Sequence, residues 1–213
     1  MAIAEVIKYE GDNSTFIWKH PCEDFNTTTQ LIVHESQEAI FFMNGQALDL
    51  FGPGRYTLET QNIPLLKKFT NIPTDGKTPF HCEVYFINKT EQMAIKWGTD
   101  SRVQYIEPTY RFPLSIGASG EMSLSVSDSR KLLINLVGTE RVLERNQLTN
   151  FFRAFLMTKV KTYIAQEMRS SAINIFEIDE QLESFSAAIK AKLDDDFLDY
   201  GVNLKRFFVT VIV

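Results

Sequence analysis

Two closely spaced turns near the centre of the first hundred residues constrain the fold of this chain more than any other feature of its sequence. Asn44-Gly45 stands between two apolar runs, and both residues tolerate the positive φ angles that a two-residue hairpin turn requires. The run 39–43 is therefore predicted to pair with the run 46–51. Gly52-Pro53-Gly54 marks a second turn, from which a third strand begins. The sequence thus predicts an antiparallel meander with positive φ at Gly45 and Gly54.

The strands of this meander differ in their patterns. Leu48 and Leu50 are predicted to share one face and Asp49 to lie on the other, because successive strand side chains point in opposite directions. Residues 40–43 are apolar at every position, which predicts a strand that is covered on both faces.

The period of the apolar residues changes along the chain. Alternation between two faces recurs from residue 80 up to Ile106, which predicts strands in that part. Prolines at positions 108 and 113 then interrupt any regular element. Beyond them a short helix capped by Asp128 and ended by Gly138 is predicted, followed by longer helices that begin at Asn146 and near Asp179.

Gly201 is predicted to end the last of these helices in the left-handed conformation, and a final strand follows it. The sequence therefore predicts an α+β protein with a β-rich N-terminal half, residues 1–107, which contains the meander. A smaller α/β half, residues 108–213, is predicted to hold the final strand in its sheet.

Composition and charge exclude several classes of protein. The 213 residues carry a net charge of −5 with Lys and Arg dispersed, so no nucleic-acid partner is expected. No run approaches the roughly 18 apolar residues of a transmembrane helix, and residues 1–10 lack the pattern of a signal peptide. Two cysteines in different contexts suit a reducing compartment better than a disulfide framework.

The residues with potential for metal binding or catalysis do not form a known pattern. His20, Cys22, His81 and Cys82 could supply four zinc ligands, but neighbours in a strand point to opposite faces, so His81 and Cys82 cannot reach the same ion. Ser119 lacks the glycine spacing of a nucleophile elbow and is predicted to lie in a turn. No catalytic residue, metal ligand or cofactor is therefore assigned.

An acidic run, residues 194–196, is predicted to lie in the last turns of a helix, where the helix dipole disfavours anions. Lys190 and Lys192 each stand four residues before an aspartate of the run and can pair with it. A solvated face is favoured over a docking site for a basic partner.

Several motifs are similar to those of a known family. They are an acidic and apolar stretch leading to Gly52-Pro53-Gly54, and a helix ending in Tyr200-Gly201 followed by an apolar strand. These stretches resemble the SPFH or Band 7 domain of stomatins, prohibitins and flotillins. More narrowly, Lys96-Trp97-Gly98-Thr99 and Asp128-Ser129-Arg130 resemble the bacterial branch called virion-core-protein-like.

The resemblance implies a non-enzymatic scaffold or adaptor at the cytoplasmic face of the cell membrane, linked to bacterial membrane stress or membrane organisation. Its partners would be membrane proteins or a lipid surface. Self-association would run mainly through a C-terminal extension that lies beyond this sequence, so a monomer or weak dimer is expected here. The alternative is a soluble peptide- or ligand-binding module, and a hydrolase ranks third.

Three aromatic residues are candidates for membrane or partner contact: Phe16, Trp18 and Phe51, each near a predicted turn or strand end. The alternative is that all three belong to the core. Segments 40–43 and 207–213, apolar on both faces, are the segments most able to add a strand across a contact.

Overall fold

The computed structural model describes residues 6–11, 13, 15–58, 63–65, 80–107, 110–137, 142–171 and 175–212. The strands are β1 Val6–Ile7, β2 Thr15–Lys19, β3 Asp24–Phe25, β4 Gln30–Val33, β5 Gln37–Met43, β6 Gln46–Phe51, β7 Gly54–Thr57, β8 Phe80–His81, β9 Glu83–Asn88, β10 Gln92–Gly98, β11 Val103–Ile106, β12 Pro113–Ile116, β13 Ala118–Val126, β14 Val142–Glu144 and β15 Val202–Ile212. The α-helices are α1 Ser129–Leu132, α2 Arg145–Ser170 and α3 Ile178–Leu198. A π-helical turn, Leu133–Val137, follows α1, and a 3-10 turn, Ile175–Glu177, precedes α3. The strand-rich N-terminal part and the helices of the C-terminal half give the predicted α+β class.

The chain forms two compact units, each built from two separate segments. Unit 1 comprises Met1–Thr90 and Asp128–Arg145, and unit 2 comprises Glu91–Ser127 and Asn146–Val213. The contacts thus group the chain differently from a single division after residue 107, because β10 pairs with β13 rather than with the strands that precede it. Subdomains at 1–107 and 108–213 stay a prediction.

Unit 1 is organised around a five-stranded sheet with the order β14-β2-β9-β5-β6. β5 is paired on both edges, and Ile40 and Phe41, which point to opposite faces, are both fully buried. The prediction that this strand is covered on both faces is confirmed. Because its edges are occupied, segment 40–43 is not free to add a strand from outside.

The predicted hairpin is present, with Met43 opposite Gln46 across the Asn44-Gly45 turn. Asn44 has φ 52° and Gly45 φ 76°, as the turn requires. Gly54 begins β7 with φ 147°, so positive φ occurs at both glycines for which it was predicted.

The pattern predicted for β6 is wrong at one point. Ile40 pairs with Leu50 but Phe42 pairs with Ala47, so two steps along β5 correspond to three along β6. The extra residue interrupts the alternation of the two faces, as in a β-bulge. Leu48 is consequently buried while Leu50 is 48% exposed, and Asp49 is buried as well.

The short helix α1 attaches to the hairpin at this bulge. Asp128 caps it by accepting from the Lys131 backbone N–H, as predicted. The Arg130 guanidinium donates to the carbonyl oxygens of Ala47 and Leu48, which lie at one end of the irregular step. The side chain of Arg130 therefore satisfies backbone groups at the bulge. The predicted end of this helix at Gly138 lies outside the described residues.

The remaining pairings of unit 1 form two small sheets. One has the order β1-β4-β7, in which β1 is parallel and β7 antiparallel to β4. The other pairs β3 with β8. Large buried side chains such as Phe25, Phe41 and Phe86 belong to the core of the unit.

Unit 2 contains a three-stranded sheet with the order β10-β13-β15 and a hairpin of β11 and β12. The final strand pairs with β13, as predicted. Helix α3 packs on β15 through buried residues that recur every four positions or so: Phe185, Ile189, Leu193 and Phe197.

The backbones of β13 and β15 approach closely at Gly120. A β-carbon built there would lie 1.8 Å from the carbonyl oxygen of Phe208. Beside it, the rings of Trp97 and Phe207 stack with centroids 4.8 Å apart. Ser119 lies within β13, so the prediction of a turn at that residue is wrong. It pairs with Gly98 of β10 on one side and with Val211 of β15 on the other, which extends the strand through it.

The two long helices carry the predicted apolar stripes. Helix α2 begins at Arg145, one residue before the predicted cap Asn146, because it follows β14 directly. Its buried positions are Phe152, Leu156, Val160, Ile164 and Met168, four residues apart. Helix α3 ends at Leu198, and Gly201 has φ 75° and donates its N–H to the Leu198 carbonyl, as expected of a left-handed cap.

Candidate functional site

The three aromatic residues proposed for membrane contact lie in the core of unit 1 or against it. Phe16 is 1% exposed and Phe51 is 6% exposed. The Phe51 ring packs between Phe41 and Tyr56, with centroids 5.1 and 5.0 Å away. Membrane contact by these residues stays a prediction. Phe16 and Phe51 are not exposed as that prediction assumed, because β2 and β6 turn their side chains inward.

Trp18 is half-buried and makes its contacts within the same unit. Its ring lies 4.8 Å from that of Tyr9 and 5.9 Å from that of Phe86. These neighbours leave only part of the indole accessible.

An exposed aromatic cluster occurs instead in unit 2. Tyr110, Phe112 and Phe176 form a triangle, the aromatic triad, with centroid separations of 6.1 to 6.5 Å. Tyr110 is 65% and Phe176 71% exposed. Ile106, which immediately precedes the loop holding Tyr110, is 68% exposed. Large apolar side chains that are grouped and exposed mark interaction surfaces, whereas single ones do not.

The loop that carries two of the triad residues is held by Glu107. The Glu107 N–H donates to the Phe112 carbonyl at 3.0 Å, and the Glu107 carbonyl accepts from the Arg111 N–H at 2.9 Å. Its buried carboxylate also accepts from the Tyr110 N–H. Arg111 has φ 56°, a conformation that costs a residue with a side chain about 1–2 kcal/mol relative to glycine. The loop thus keeps a strained arginine between the exposed Tyr110 and the half-buried Phe112.

Tyr105 joins this hairpin to helix α2. Burial, followed by the negative charge of Glu107, raises the pKa of Tyr105. Its hydroxyl therefore stays protonated and donates to the Met168 carbonyl at 3.3 Å. This bond fixes β11 against the C-terminal part of α2.

A groove runs between α2 and the start of β11, and we call it the basic groove. Its volume is about 440 Å³, and its lining includes Arg102, Val103, Lys161, Thr162, Ala165 and Arg169. The helical positions 161, 165 and 169 are four residues apart and so share one face of α2. Arg102 and Arg169 are exposed, and Lys161 pairs with Asp100.

The acidic run at the end of α3 is largely neutralised within unit 2. Lys190 pairs with Asp194 at 2.8 Å, as expected, whereas Lys192 pairs with Glu167 of α2 rather than with Asp196. Asp196 instead accepts from Lys159 at 2.9 Å and from the Tyr163 hydroxyl at 2.8 Å. These cross-helix contacts offset the unfavourable helix dipole, and they favour a structural role for the run.

The histidine and cysteine residues do not converge on one point. His81 is exposed and contacts Glu23 and Asp24 at 3.2 Å, while its neighbour Cys82 is buried. Burial raises the pKa of the Cys82 thiol. Across the described ranges, no three His, Cys, Asp or Glu side chains are placed to hold a metal ion.

Comparison with known proteins gives the family. The model of the SPFH domain-Band 7 family matches residues 17–213, nearly the whole chain. The chain belongs to this family. SPFH domain proteins are generally non-enzymatic scaffolds that commonly associate with membranes and self-oligomerise. The match leaves the virion-core-protein-like branch a prediction, and no curated protein matches this SPFH domain.

Within the described part of this SPFH domain, no helix is both long and apolar enough to cross a bilayer. The aromatic triad was not predicted from the sequence, because Tyr110 and Phe112 lie between two prolines that indicated only a boundary between elements. Phe176 is more than 60 residues away, and no sequence period connects it to them. The proline-flanked aromatics themselves were the available signal, since such loops lie on the surface.

Proposed function

We propose that this SPFH domain is a non-enzymatic, membrane-associated scaffold that acts at the cytoplasmic face of the cell membrane through contacts with the lipid surface or with membrane proteins. Family membership supports the general role. The observation that carries the proposal to this chain is the aromatic triad, in which rings 65% and 71% exposed stand next to one another. Tyrosine favours the membrane–water interface because its ring is apolar while its hydroxyl meets water, and the phenylalanine rings beside it add apolar surface.

Arg111 adds a cation to this surface. It is exposed and lies in sequence between Tyr110 and Phe112. Arginine next to interfacial aromatics is typical of segments that rest on a bilayer, because its head group meets lipid phosphates while its stem covers apolar surface. The proposed role in bacterial membrane organisation or membrane stress, within the virion-core-protein-like branch, follows from the sequence resemblance.

Flotation with vesicles of phosphatidylcholine tests the membrane contact. The double variant Tyr110→Ser/Phe176→Ser removes the two most exposed rings of the triad. We expect its partition coefficient to fall at least tenfold, because full burial of an aromatic ring is worth roughly 1.5–3 kcal/mol and about 1.4 kcal/mol corresponds to a factor of ten.

The matched control is Leu50→Ser/Phe208→Ser, which removes two apolar side chains that are 48% and 51% exposed elsewhere on the chain. We expect it to float like the wild type. Equal loss in both double variants, or no flotation of the wild type, would contradict the proposed surface.

A soluble ligand-binding module is the second candidate function. The basic groove favours it, because its volume of about 440 Å³ lies within the range of small-molecule sites. Binding of a soluble anion in the groove without any vesicle binding would support this alternative.

A further inference from the structure

The two arginines of the basic groove differ from three lysines of the long helices in how their charges are paired. On α2 and α3, Lys159, Lys190 and Lys192 each contact a carboxylate within 3 Å. Arg102 and Arg169, by contrast, make no ion pair with any described residue and are exposed. Two guanidinium groups thus face the same groove without a described counter-charge.

The third cation of the groove is held in place. Lys161 pairs with Asp100 and also donates to the Ser101 hydroxyl. Asp100 offsets one of the three positive charges of the groove, so a net positive charge remains there. Because charges beyond about 8–10 Å are largely screened at physiological salt, this local excess outweighs the overall charge of −5 for a ligand within the groove.

The chemistry of the groove favours a phosphate group. A guanidinium presents a planar set of donors that matches the oxygens of a phosphate in a bidentate manner. Thr162 and Gln166 add polar side chains beside the arginines, and Val103 and Ala165 supply apolar surface. A groove of about 440 Å³ accommodates more than a bare ion, so the phosphate would carry an organic substituent.

The position of the groove indicates the source of that phosphate. A second cavity, of about 290 Å³, shares Ala165 and Arg169 with the basic groove and is also lined by Ile106. Ile106 is 68% exposed and leads directly into the loop of the aromatic triad. The two arginines, which make no ion pair with a described residue, and the exposed apolar residues are therefore parts of one continuous surface of unit 2.

From this continuity we infer that the basic groove binds the phosphate-bearing headgroup of an anionic phospholipid, while the aromatic triad contacts the interfacial region of the same bilayer. The inference rests on the proposed membrane association and names the lipid class that it selects. It assigns Arg102 and Arg169 as the residues that bind the phosphate, and Lys161 as a cation held beside it.

The test compares vesicles of pure phosphatidylcholine with mixed vesicles made of equal parts of phosphatidylcholine and phosphatidylglycerol. We expect the wild-type chain to bind the mixed vesicles more tightly. Arg102→Gln/Arg169→Gln should reduce this preference about 25-fold, since each basic residue near an anionic surface contributes about 1 kcal/mol, a factor of about five. Binding to pure phosphatidylcholine should not change.

Two matched variants separate the groove from general charge. Lys131→Gln/Lys205→Gln removes the same number of positive charges from exposed lysines outside the groove, and should keep the preference. Ala165→Phe fills the groove without changing any charge, and should reduce the preference. Circular dichroism of each variant checks that the fold is retained.

The outcomes distinguish the two proposals. Binding of pure phosphatidylcholine without any gain from phosphatidylglycerol would overturn the lipid preference and leave the proposed function intact. If Arg102→Gln/Arg169→Gln and Lys131→Gln/Lys205→Gln reduced the preference for phosphatidylglycerol equally, the groove would be overturned as the binding site. Saturable binding of glycerol 3-phosphate, lost in Arg102→Gln/Arg169→Gln, without vesicle binding would assign a soluble ligand and overturn both proposals.

Discussion

Replacement of Gly120 by Ala tests the close pairing of β13 and β15. The added methyl group would lie 1.8 Å from the Phe208 carbonyl oxygen and 3.1 Å from the Trp97 ring. A close carbon–oxygen contact needs about 3.3 Å, so the strands would have to separate by roughly 1.5 Å. Such overpacking costs about 1–3 kcal/mol, and each strand hydrogen bond that is lost costs about 1 kcal/mol more.

We therefore expect Gly120→Ala to lower the free energy of unfolding by about 3 kcal/mol or more, which corresponds to a fall in Tm of roughly 6–12 °C. Gly98→Ala is the matched control in the same sheet. Its methyl group would meet Ser119 at an ordinary 3.5 Å, so it should leave stability unchanged or raise it by about 0.4–1 kcal/mol.

Urea denaturation followed by tryptophan fluorescence measures this difference. Trp97 belongs to unit 2 and the other tryptophan, Trp18, to unit 1, so a Trp18→Phe background reports on the sheet in question. Free energies of unfolding for Gly120→Ala and Gly98→Ala that agree within about 0.5 kcal/mol would refute the close approach of the two backbones.

Three further changes have expected outcomes. Gly45→Val should lower the free energy of unfolding by about 1–3 kcal/mol, because Gly45 has a φ of 76°. Gly52 has no positive φ, so Gly52→Val should cost less. Urea denaturation measures both. Arg130→Met should cost about 1.5–3 kcal/mol by leaving two carbonyls of β6 without their donor; a thermal melt equal to the wild type would exclude this role. The hydrogen bond from Lys192 holds the pKa of Glu167 below its ordinary value of 4.5. This contact therefore stabilises the folded state fully above about pH 4.5. The stabilisation is lost as the pH falls through the lowered pKa of Glu167 in the folded state. Glu167→Gln should therefore be less stable near neutral pH but lose less stability in acid, which denaturation across a pH series would show.

Local patterns predicted the elements of this SPFH domain well. The Asn44-Gly45 turn, the Asp128 cap and the left-handed Gly201 each depend on neighbours within a few residues, and each is present where the sequence indicates it. The bulge in β6 was missed because it depends on the partner strand, since nothing in the run 46–51 marks the extra residue. That is why Leu50 was assigned to the same face as Leu48.

Pairing between distant segments was harder to predict. β10 has the same alternating pattern as the strands before it, yet it pairs with β13, and β14 pairs with β2 more than 120 residues earlier. The candidate site was hard to predict for the same reason, because its residues are distant in the sequence. Tyr110 and Phe176 come together only in the fold, and so do Arg102 and Arg169, so no spacing along the sequence could have revealed either group.

The alternation of the two units along the chain has a consequence for synthesis on the ribosome. β2 is complete at Lys19, but its outer edge receives β14 only after residues up to Glu144 have been made. At about 5–20 residues per second, this delay lasts roughly 6–25 s. During that time the nascent chain presents an open strand edge, the kind of surface to which other unfinished chains can add. Until β14 arrives, a chaperone that covers this edge would protect the growing protein.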